Sequence, residues 1–483
     1  MRRLKRSTGA LFAATVLVWP GGAAAHAFGA RYDLPLPLDL YLGAAGAAVV
    51  ASFVIMALFG AGRPVDRRLD IPIGPGPRIA RAGRLGLRPL SVALFGLILA
   101  TGFFGTASPT RNFAPTMVWV IWWVGLAFVS ALVGDLWRLA NPWSALYDWA
   151  GGDRRTARPY PARLGHWPAV ALFWAFAWLE LISGVGEDPY ALAWLITAYS
   201  ALTWLGMARF GRDAWLAHGE AFTVAFGLIA RFAPLAARDD GGPGLKLRPY
   251  ATGLLTVRPA PVSLAVFVLL MLATVSFDGF VETPGWQAVL DWLVDDATWL
   301  HPPLIWLQAR GVDLTQAVKT GALALAPILF FAAFATVAGL MAALGMAGGG
   351  ARQPLKTMLG LFVFALVPIA IAYHLAHYYS YLVLAGQLII PLASDPFGVG
   401  WDLFGTRAYA LDISVVDART VWYLAVGAVV TGHVLAVWLG HVAALRLYGA
   451  ARAALMSQVP MLALMVFYTM TSLWILSQPI VAL

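Results

Sequence analysis

Two histidines stand inside a stretch that otherwise looks like the middle of a membrane span, IAYHLAHYYSYL, residues 371–382. His374 and His377 are three residues apart. On an α-helix such residues lie about 60° apart around the axis and about 4.5 Å apart along it, so both rings point the same way. Titratable groups are costly in hydrocarbon, so a pair of them on one helical face indicates a functional site.

An acidic residue is predicted at the same membrane depth as this pair. Asp278 follows the apolar residues LATVSF, and that run rises toward the same membrane face. Imidazole nitrogens and carboxylate oxygens are ligands of Zn, Fe, Mn and Cu(II). Asp278, His374 and His377 would therefore hold a divalent transition metal, whose bound water supplies hydroxide near neutral pH. In this hypothesis Asp278 and His377 act in catalysis, and either Tyr378 or the cation stabilises the leaving oxygen.

Further titratable residues extend this candidate metal site or stand apart from it. His433 falls near mid-membrane, about 10 Å below the pair, and joins it only if helix tilt or a kink at Pro368 closes the gap. His26 would begin the mature chain after signal cleavage, and its amine and ring could then chelate copper. Glu180 is expected to pair with a polar neighbour. For each histidine a hydrogen bond to a backbone carbonyl stays open as an alternative, and Asp278 could instead cap the outer loop.

The composition places most of the chain in lipid. Of the 483 residues, 60% are hydrophobic and 12% are charged, and the mean hydropathy is +0.74. A soluble chain of this length could not bury that much apolar surface. The 21 Trp and 15 Tyr suit aromatic belts at both bilayer interfaces. The absence of cysteine excludes disulfides, thiolate metal sites and a cysteine nucleophile.

The first 25 residues have the layout of a secretory signal peptide. MRRLKRSTGALFAATVLVWPGGAAA has a basic head, a short apolar run and a small-residue cleavage site, with an uncleaved anchor as the alternative. Residues 26–483 then form one membrane domain, and we predict an all-α polytopic bundle of about ten transmembrane helices. The predicted spans are 40–61, 89–108, 115–137, 167–185, 190–209, 260–279, 318–344, 358–391, 420–445 and 459–480.

Positive charge sets the expected orientation. With the mature N-terminus exported, 27 of the 33 Lys and Arg fall on the cytoplasmic side of a bacterial inner membrane, and both mature termini are periplasmic. The net charge of +9 is then an orientation signal, which argues against a nucleic-acid partner. Amphipathic interfacial helices are predicted near 214–235 on the cytoplasmic side and 286–307 on the periplasmic side. A shallow re-entrant segment is the alternative for 214–235.

Two long stretches carry a family resemblance. AHAFGARYDLPLPLDLYL (25–42) and AHYYSYLVLAGQLIIPLASDPFGVGWDLFGT (376–406) resemble a family of polytopic bacterial membrane proteins commonly labelled fenitrothion hydrolase. The similarity runs over essentially the whole mature chain. It implies hydrolysis of an organophosphate triester at the membrane, and it assigns no catalytic residues.

Three functions fit these features. A metal-dependent hydrolase would act on a lipophilic phosphate ester at the periplasmic leaflet, where such esters concentrate. A carrier or channel would explain the ten spans, the 48 Gly, the 30 Pro and the buried acids. A copper- or haem-handling redox subunit would use histidines on facing helices, such as His377 and His433, as ligands. The expected partners are the lipid bilayer, a small lipophilic substrate and a possible second membrane subunit.

Overall fold

The chain is a multi-pass membrane protein that folds as an all-α helical bundle in a computed structural model. The predicted fold class is therefore confirmed. The predicted signal segment 1–25 and His26 lie outside the described residues. The structure describes residues 36–59, 70–73, 77–152, 157–238, 244–256 and 258–478.

The described part of the chain contains sixteen helices. In chain order they are α1 Leu38–Phe59, α2 Pro77–Phe104, α3 Phe113–Leu132, α4 Trp137–Ala140, α5 Pro142–Trp149, α6 Trp167–Trp178, α7 Pro189–Phe210, α8 Arg212–His218, α9 Ala221–Ile229, α10 Val262–Val281, α11 Pro284–Asp295, α12 His301–Gln308, α13 Leu314–Ala347, α14 Leu355–Ser394, α15 Ala418–Tyr448 and α16 Ala451–Ser477. Isolated 3₁₀ turns cover Ala162–Leu164, Val185–Glu187, Thr252–Leu254, Thr298–Leu300 and Ile413–Val415.

Nine helices of the described residues are long and apolar enough to cross a membrane, namely α1, α2, α3, α7, α10, α13, α14, α15 and α16. Each of them overlaps one predicted span. The remaining prediction, 167–185, corresponds to α6 and a π-helical turn that follows it directly, Leu179–Ser183. Hydropathy thus located nine of the ten predicted spans, while the tenth falls on a segment that is divided into two helical forms and is not among the nine.

Acidic residues begin three of the helices that start on the predicted periplasmic side. Asp188, Asp313 and Asp417 each accept a hydrogen bond at 2.8 Å from a backbone N–H in the first turn of α7, α13 and α15, respectively. A carboxylate at this position satisfies donors that have no partner within the helix and favours the positive end of the helix dipole. These acids therefore serve as helix caps.

The two segments predicted at the interface take different forms. Residues 214–235 contain part of α8 and all of α9, and both faces of α9 are buried in the bundle, so it lacks the polar face of an amphipathic surface helix. Residues 286–307 fall in α11 and α12, which leave Trp292 and Trp306 exposed.

A small antiparallel sheet lies on the predicted cytoplasmic side. Its strands are β1 Ile71–Ile73, β2 Leu235–Ala237 and β3 Leu245–Leu247, and β3 is the central strand. Lys246 stands opposite both neighbouring strands and its Nζ lies 2.7 Å from Asp70 Oδ2. This ion pair links β3 to the residue that precedes β1.

The interior of the bundle is built around α10 and α14. In an apolar stretch of 18 residues, 78% of the residues of α10 and 83% of those of α14 are buried inside the protein. In α1, α2 and α13 the corresponding share is 17%. Side chains on α10 and α14 therefore face other helices on almost every side. A polar side chain on either of them has to find its partners within the protein.

The close approach of α15 to α14 depends on Gly432. A Cβ at this position would lie 2.4 Å from Ala372 Cβ and 2.8 Å from the carbonyl oxygen of Pro368. We expect Gly432→Ala to lower the free energy of unfolding by about 1–3 kcal/mol through overpacking, seen as a lower melting temperature in detergent. Gly427→Ala on the same helix, where no atom lies within 4 Å, is the control. Equal melting temperatures of the two variants would contradict this packing.

Candidate functional site

Asp278 lies one turn before the end of α10, on the predicted periplasmic side. Its side chain is buried, with 5% of the residue exposed. Because α10 is enclosed by other helices, the carboxylate points into protein, and the neighbouring α14 places His377 and Tyr378 beside it. The depth match predicted from sequence for Asp278 and His377 therefore corresponds to a direct contact.

Two polar groups of α14 bind the same carboxylate oxygen. Tyr378 Oη donates to Asp278 Oδ2 at 2.6 Å, and His377 Nε2 lies 2.8 Å from that oxygen. An ionised carboxylate only accepts hydrogen bonds, so with Asp278 ionised His377 carries a proton on Nε2. These three side chains, which we call the Asp278 cluster, form an acid–base group in which carboxyl and imidazole can share one proton.

Tyr378 lies between His374 and His377, which the helical spacing predicted to share one face of the helix. Its ring centroid lies 4.7 Å from that of His377 and 4.7 Å from that of His374. His374 also packs edge-on against Trp123 at 5.9 Å, and its Nε2 is buried without a hydrogen-bond partner among the described residues. The structure therefore brings Asp278, His377 and Tyr378 together, while His374 turns toward a neighbouring cavity.

This internal cavity has a volume of about 40 Å³ and lies between α3, α6, α10 and α14. Glu180, His374 and Tyr378 provide polar lining. Since one water needs roughly 10–15 Å³, the space can hold two or three waters. On α14 the lining runs from Ala370 to Tyr378, which corresponds to about 12 Å along the helix axis. The cavity thus extends from the Asp278 cluster toward the middle of the membrane.

Two π-helical segments border the cavity. The first, Thr116–Gly125, forms the middle of α3 and carries Trp123, while the second, Leu179–Ser183, carries Glu180. A π-helix has a wider turn than an α-helix and is frequent at functional sites. The sequence gives no periodic signal for such turns, which is why the cavity-facing position of Glu180 was missed. Its carboxylate interacts electrostatically with Asp278.

A third predicted metal-ligating histidine, His433, does not join the cluster. His433 Nδ1 lies 2.8 Å from the carbonyl oxygen of Val429, within its own helix. His26 lies outside the described residues. Within the described ranges, no group of three or more His, Asp or Glu side chains is arranged to hold a metal ion. The metal site stays a prediction.

No family model, curated protein or solved structure matches this chain. A function must therefore be inferred from the chemistry of the Asp278 cluster and its cavity.

A second buried acid, Glu220, has a structural role. It is fully buried and precedes α9, where its carboxylate accepts from the backbone N–H groups of Phe222 at 2.9 Å and Thr223 at 2.7 Å. The hydroxyls of Tyr199 and Thr223 donate to the same carboxylate. Burial raises the pKa of Glu220, and these hydrogen bonds oppose that shift. Glu220 is thus a helix cap. This role accounts for an acidic residue in an apolar part of the sequence, and no catalytic role is needed.

Proposed function

We propose that this protein is a proton carrier of the bacterial inner membrane and that the Asp278 cluster is its proton-binding station. The observation that carries the proposal is the pairing of the buried Asp278 with the partly buried His377, whose oxygen and nitrogen lie 2.8 Å apart on two enclosed membrane helices. Ionisable groups at this depth are costly, and in membrane proteins they mark proton relays and ion pathways.

The neighbouring cavity supports the same function. Its volume of about 40 Å³ suits water, whereas pockets that enclose a drug-sized ligand measure roughly 300–1,000 Å³. Two of the helices that line it are irregular, because α6 passes into a π-helical turn and α14 contains a 3₁₀ turn at Val363–Leu366, just before Pro368. Carriers commonly use such interruptions at their ion sites.

The side chains of the cluster suggest how a proton is held and passed on. With Asp278 ionised, the donors on Tyr378 and His377 stabilise its charge. A proton that enters the cluster is shared between the carboxyl and imidazole groups, which removes the charge from the low-dielectric interior. Tyr378 borders both Asp278 and the cavity, so its hydroxyl is placed to relay a proton between the carboxyl group and cavity water.

Purified protein in liposomes tests the proposal. A valinomycin-mediated potassium gradient is used to make the lumen negative, and a trapped dye reports the luminal pH. We expect acidification at least about a hundredfold faster than in protein-free liposomes, and a protonophore should bring both preparations to the same final pH. Acidification no faster than in protein-free liposomes would contradict the proposal.

A metal-dependent hydrolase is the second candidate, and one distance favours it. Asp278 Oδ2 and His377 Nε2 are 2.8 Å apart, close to the roughly 3 Å between two adjacent ligands with metal bonds of about 2.1 Å. The residues present fit a metal ion only in part. His374 turns toward the cavity, and among the described residues only Asp278 and His377 come together as metal-binding donors. The resemblance to the fenitrothion hydrolase family supports the same candidate, with a lipophilic phosphate ester as substrate and a metal-activated water as its chemistry.

Elemental analysis of purified protein tests this second candidate. If it holds, the wild type should contain about one transition-metal ion per chain, His377→Ala should lose it, and His301→Ala should keep it. His301 is a suitable control because it lies in α12, outside the Asp278 cluster. Equal metal content in the wild type and His377→Ala would remove the hydrolase candidate.

A further inference from the structure

Glu180 is an acidic residue of the bundle that lies outside the Asp278 cluster. It belongs to the π-helical turn Leu179–Ser183, is partly buried and lines the internal cavity. Among the described residues, no cation is part of the set of groups that interact with it. A carboxylate at membrane depth without a cation is costly, so this group needs either water or a proton.

Two ring nitrogens that line the same cavity lack partners. Trp123 of α3 and His374 of α14 pack edge-on with ring centroids 5.9 Å apart. Trp123 Nε1 and His374 Nε2 are both buried and make no hydrogen bond with a described residue. Trp123 also interacts with the side chain of Glu180. Buried polar atoms that have no protein partner are generally satisfied by ordered water.

The cavity meets the requirements for such water. A buried water needs roughly 10–15 Å³ and two to four polar partners, and the cavity offers about 40 Å³. The indole N–H of Trp123 is a donor, the carboxylate of Glu180 is an acceptor, and the imidazole of His374 can act as either. Water in this space would therefore satisfy both ring nitrogens and bridge them to Glu180.

The same water reaches the Asp278 cluster through Tyr378, which also lines the cavity. Tyr378 Oη donates to Asp278 Oδ2 at 2.6 Å, and its oxygen keeps lone pairs that can accept from water. Glu180 interacts electrostatically with both Asp278 and Tyr378. The route between the two carboxyl groups thus consists of one direct hydrogen bond and a cavity that Tyr378 and Glu180 both border.

The titratable groups that face Glu180 come from two neighbouring helices. They are Asp278 of α10 and His374, Tyr378 and Tyr381 of α14. On α13, which packs against the π-helical turn, the titratable residue is Lys319, and it is not among the groups that interact with Glu180. Two nearby carboxyl groups without a cation avoid being ionised together, so one proton shared by the pair is favoured.

We propose that Glu180 is a second proton-binding residue, which exchanges its proton with Asp278 through cavity water and Tyr378. This proposal rests on the proposed proton-carrier function and extends its site. Protonated Glu180 gives its proton to a water, the water gives one to Tyr378 Oη, and Tyr378 gives its own to Asp278 Oδ2. One proton leaves Glu180 and one binds Asp278, so water and phenol are unchanged. Trp123 and His374 position the water.

Proton flux in liposomes tests the role of Glu180. Glu180→Gln keeps size and polarity but removes the titratable group, and we expect flux to fall about tenfold. Glu180→Asp keeps a carboxyl group that is one methylene shorter, so water can fill the gap and flux should exceed that of Glu180→Gln. An aspartate variant that folds but is no faster than the glutamine variant would contradict proton binding at this position.

The matched control is Glu187→Gln. Glu187 ends the 3₁₀ turn Val185–Glu187 that follows the π-helical turn, and it is exposed. Its substitution removes the same charge from the same segment, and flux should stay at the wild-type rate because exposed charges are screened by salt. Melting temperatures in detergent identify any variant that fails to fold. Equal losses in folded Glu187→Gln and Glu180→Gln would indicate a surface-charge effect and overturn the inference.

Two outcomes separate this inference from the function on which it rests. If Asp278→Asn abolishes flux while folded Glu180→Gln keeps the wild-type rate, Glu180 is not a proton-binding residue and the carrier proposal stands. If Asp278→Asn itself keeps the wild-type rate, the carrier proposal fails.

Infrared difference spectra recorded during an acid titration are independent of flux. We expect a carboxyl band that shifts in heavy water, disappears in Glu180→Gln and moves in Glu180→Asp. If neither variant changed a carboxyl band, Glu180 would not exchange protons and the inference would be wrong. Because the band is also followed in Glu180→Asp, the test remains decisive if the glutamine variant is unstable.

Discussion

Asp278→Asn is expected to reduce proton flux to the level of protein-free liposomes, a loss of about a hundredfold or more. Asparagine has nearly the same shape, and its side-chain oxygen can still accept from Tyr378, so the packing of α10 against α14 should persist. It cannot bind or release a proton near neutral pH, however, and the pair with His377 loses its acidic member. The measurement is dye-reported acidification under an imposed potential, together with the melting temperature of the variant.

The matched control for this variant is Asp295→Asn. Asp295 is the last residue of α11, is exposed and lies on the predicted periplasmic side, so its substitution removes the same charge from the same face of the protein. We expect flux within about twofold of the wild type, since an exposed charge is screened by salt. If both variants lost flux equally, the effect would come from surface charge, and the Asp278 cluster would not be the proton-binding station.

The membrane helices could be predicted from sequence because lipid imposes a length and a hydropathy on each of them. Every predicted span overlaps a helical segment, and the depth match between Asp278 and His377 led to residues in direct contact. Depth along the axis follows from counting residues. Rotation about the axis does not, since it depends on how neighbouring helices pack, and the positions of His374 and His433 relative to the cluster therefore could not be predicted.

The site residues that were missed depend on local backbone form or on contacts between distant segments. Glu180 faces the cavity because a π-helical turn changes the direction of its side chain. Trp123 looks like an ordinary aromatic residue of an apolar helix until α3 and α6 are placed together around the cavity. Glu220 is a buried acid in an apolar part of the sequence, and it caps α9. In each case the role of the side chain depends on the residues that it contacts in the folded protein, and a single sequence does not show those contacts.

Tyr378→Phe is expected to lower proton flux by about thirtyfold, the second-largest effect. The substitution removes one hydroxyl, which donates to Asp278 Oδ2 at 2.6 Å. A hydrogen bond to a charged group is worth about 1.5–3 kcal/mol, and its loss makes the ionised carboxylate harder to form in the interior. Release of the proton from Asp278 should therefore be slower, and the relay to cavity water through Tyr378 is also removed.

Tyr373→Phe is the control for the hydrogen bond from Tyr378 to Asp278, because it removes a hydroxyl group from the same helix without removing that bond. Tyr373 lies on the same helix, is equally buried and stacks on His377, but its hydroxyl has no hydrogen-bond partner among the described residues. Its removal should leave the stability of the ionised Asp278 carboxylate almost unchanged, because no hydrogen bond is lost. Infrared difference spectra recorded during an acid titration should show the Asp278 carboxyl group keeping its proton to higher pH in Tyr378→Phe than in Tyr373→Phe. Identical titrations and identical flux in the two variants would show that Tyr378 only fills space, and that Asp278 exchanges its proton without this relay.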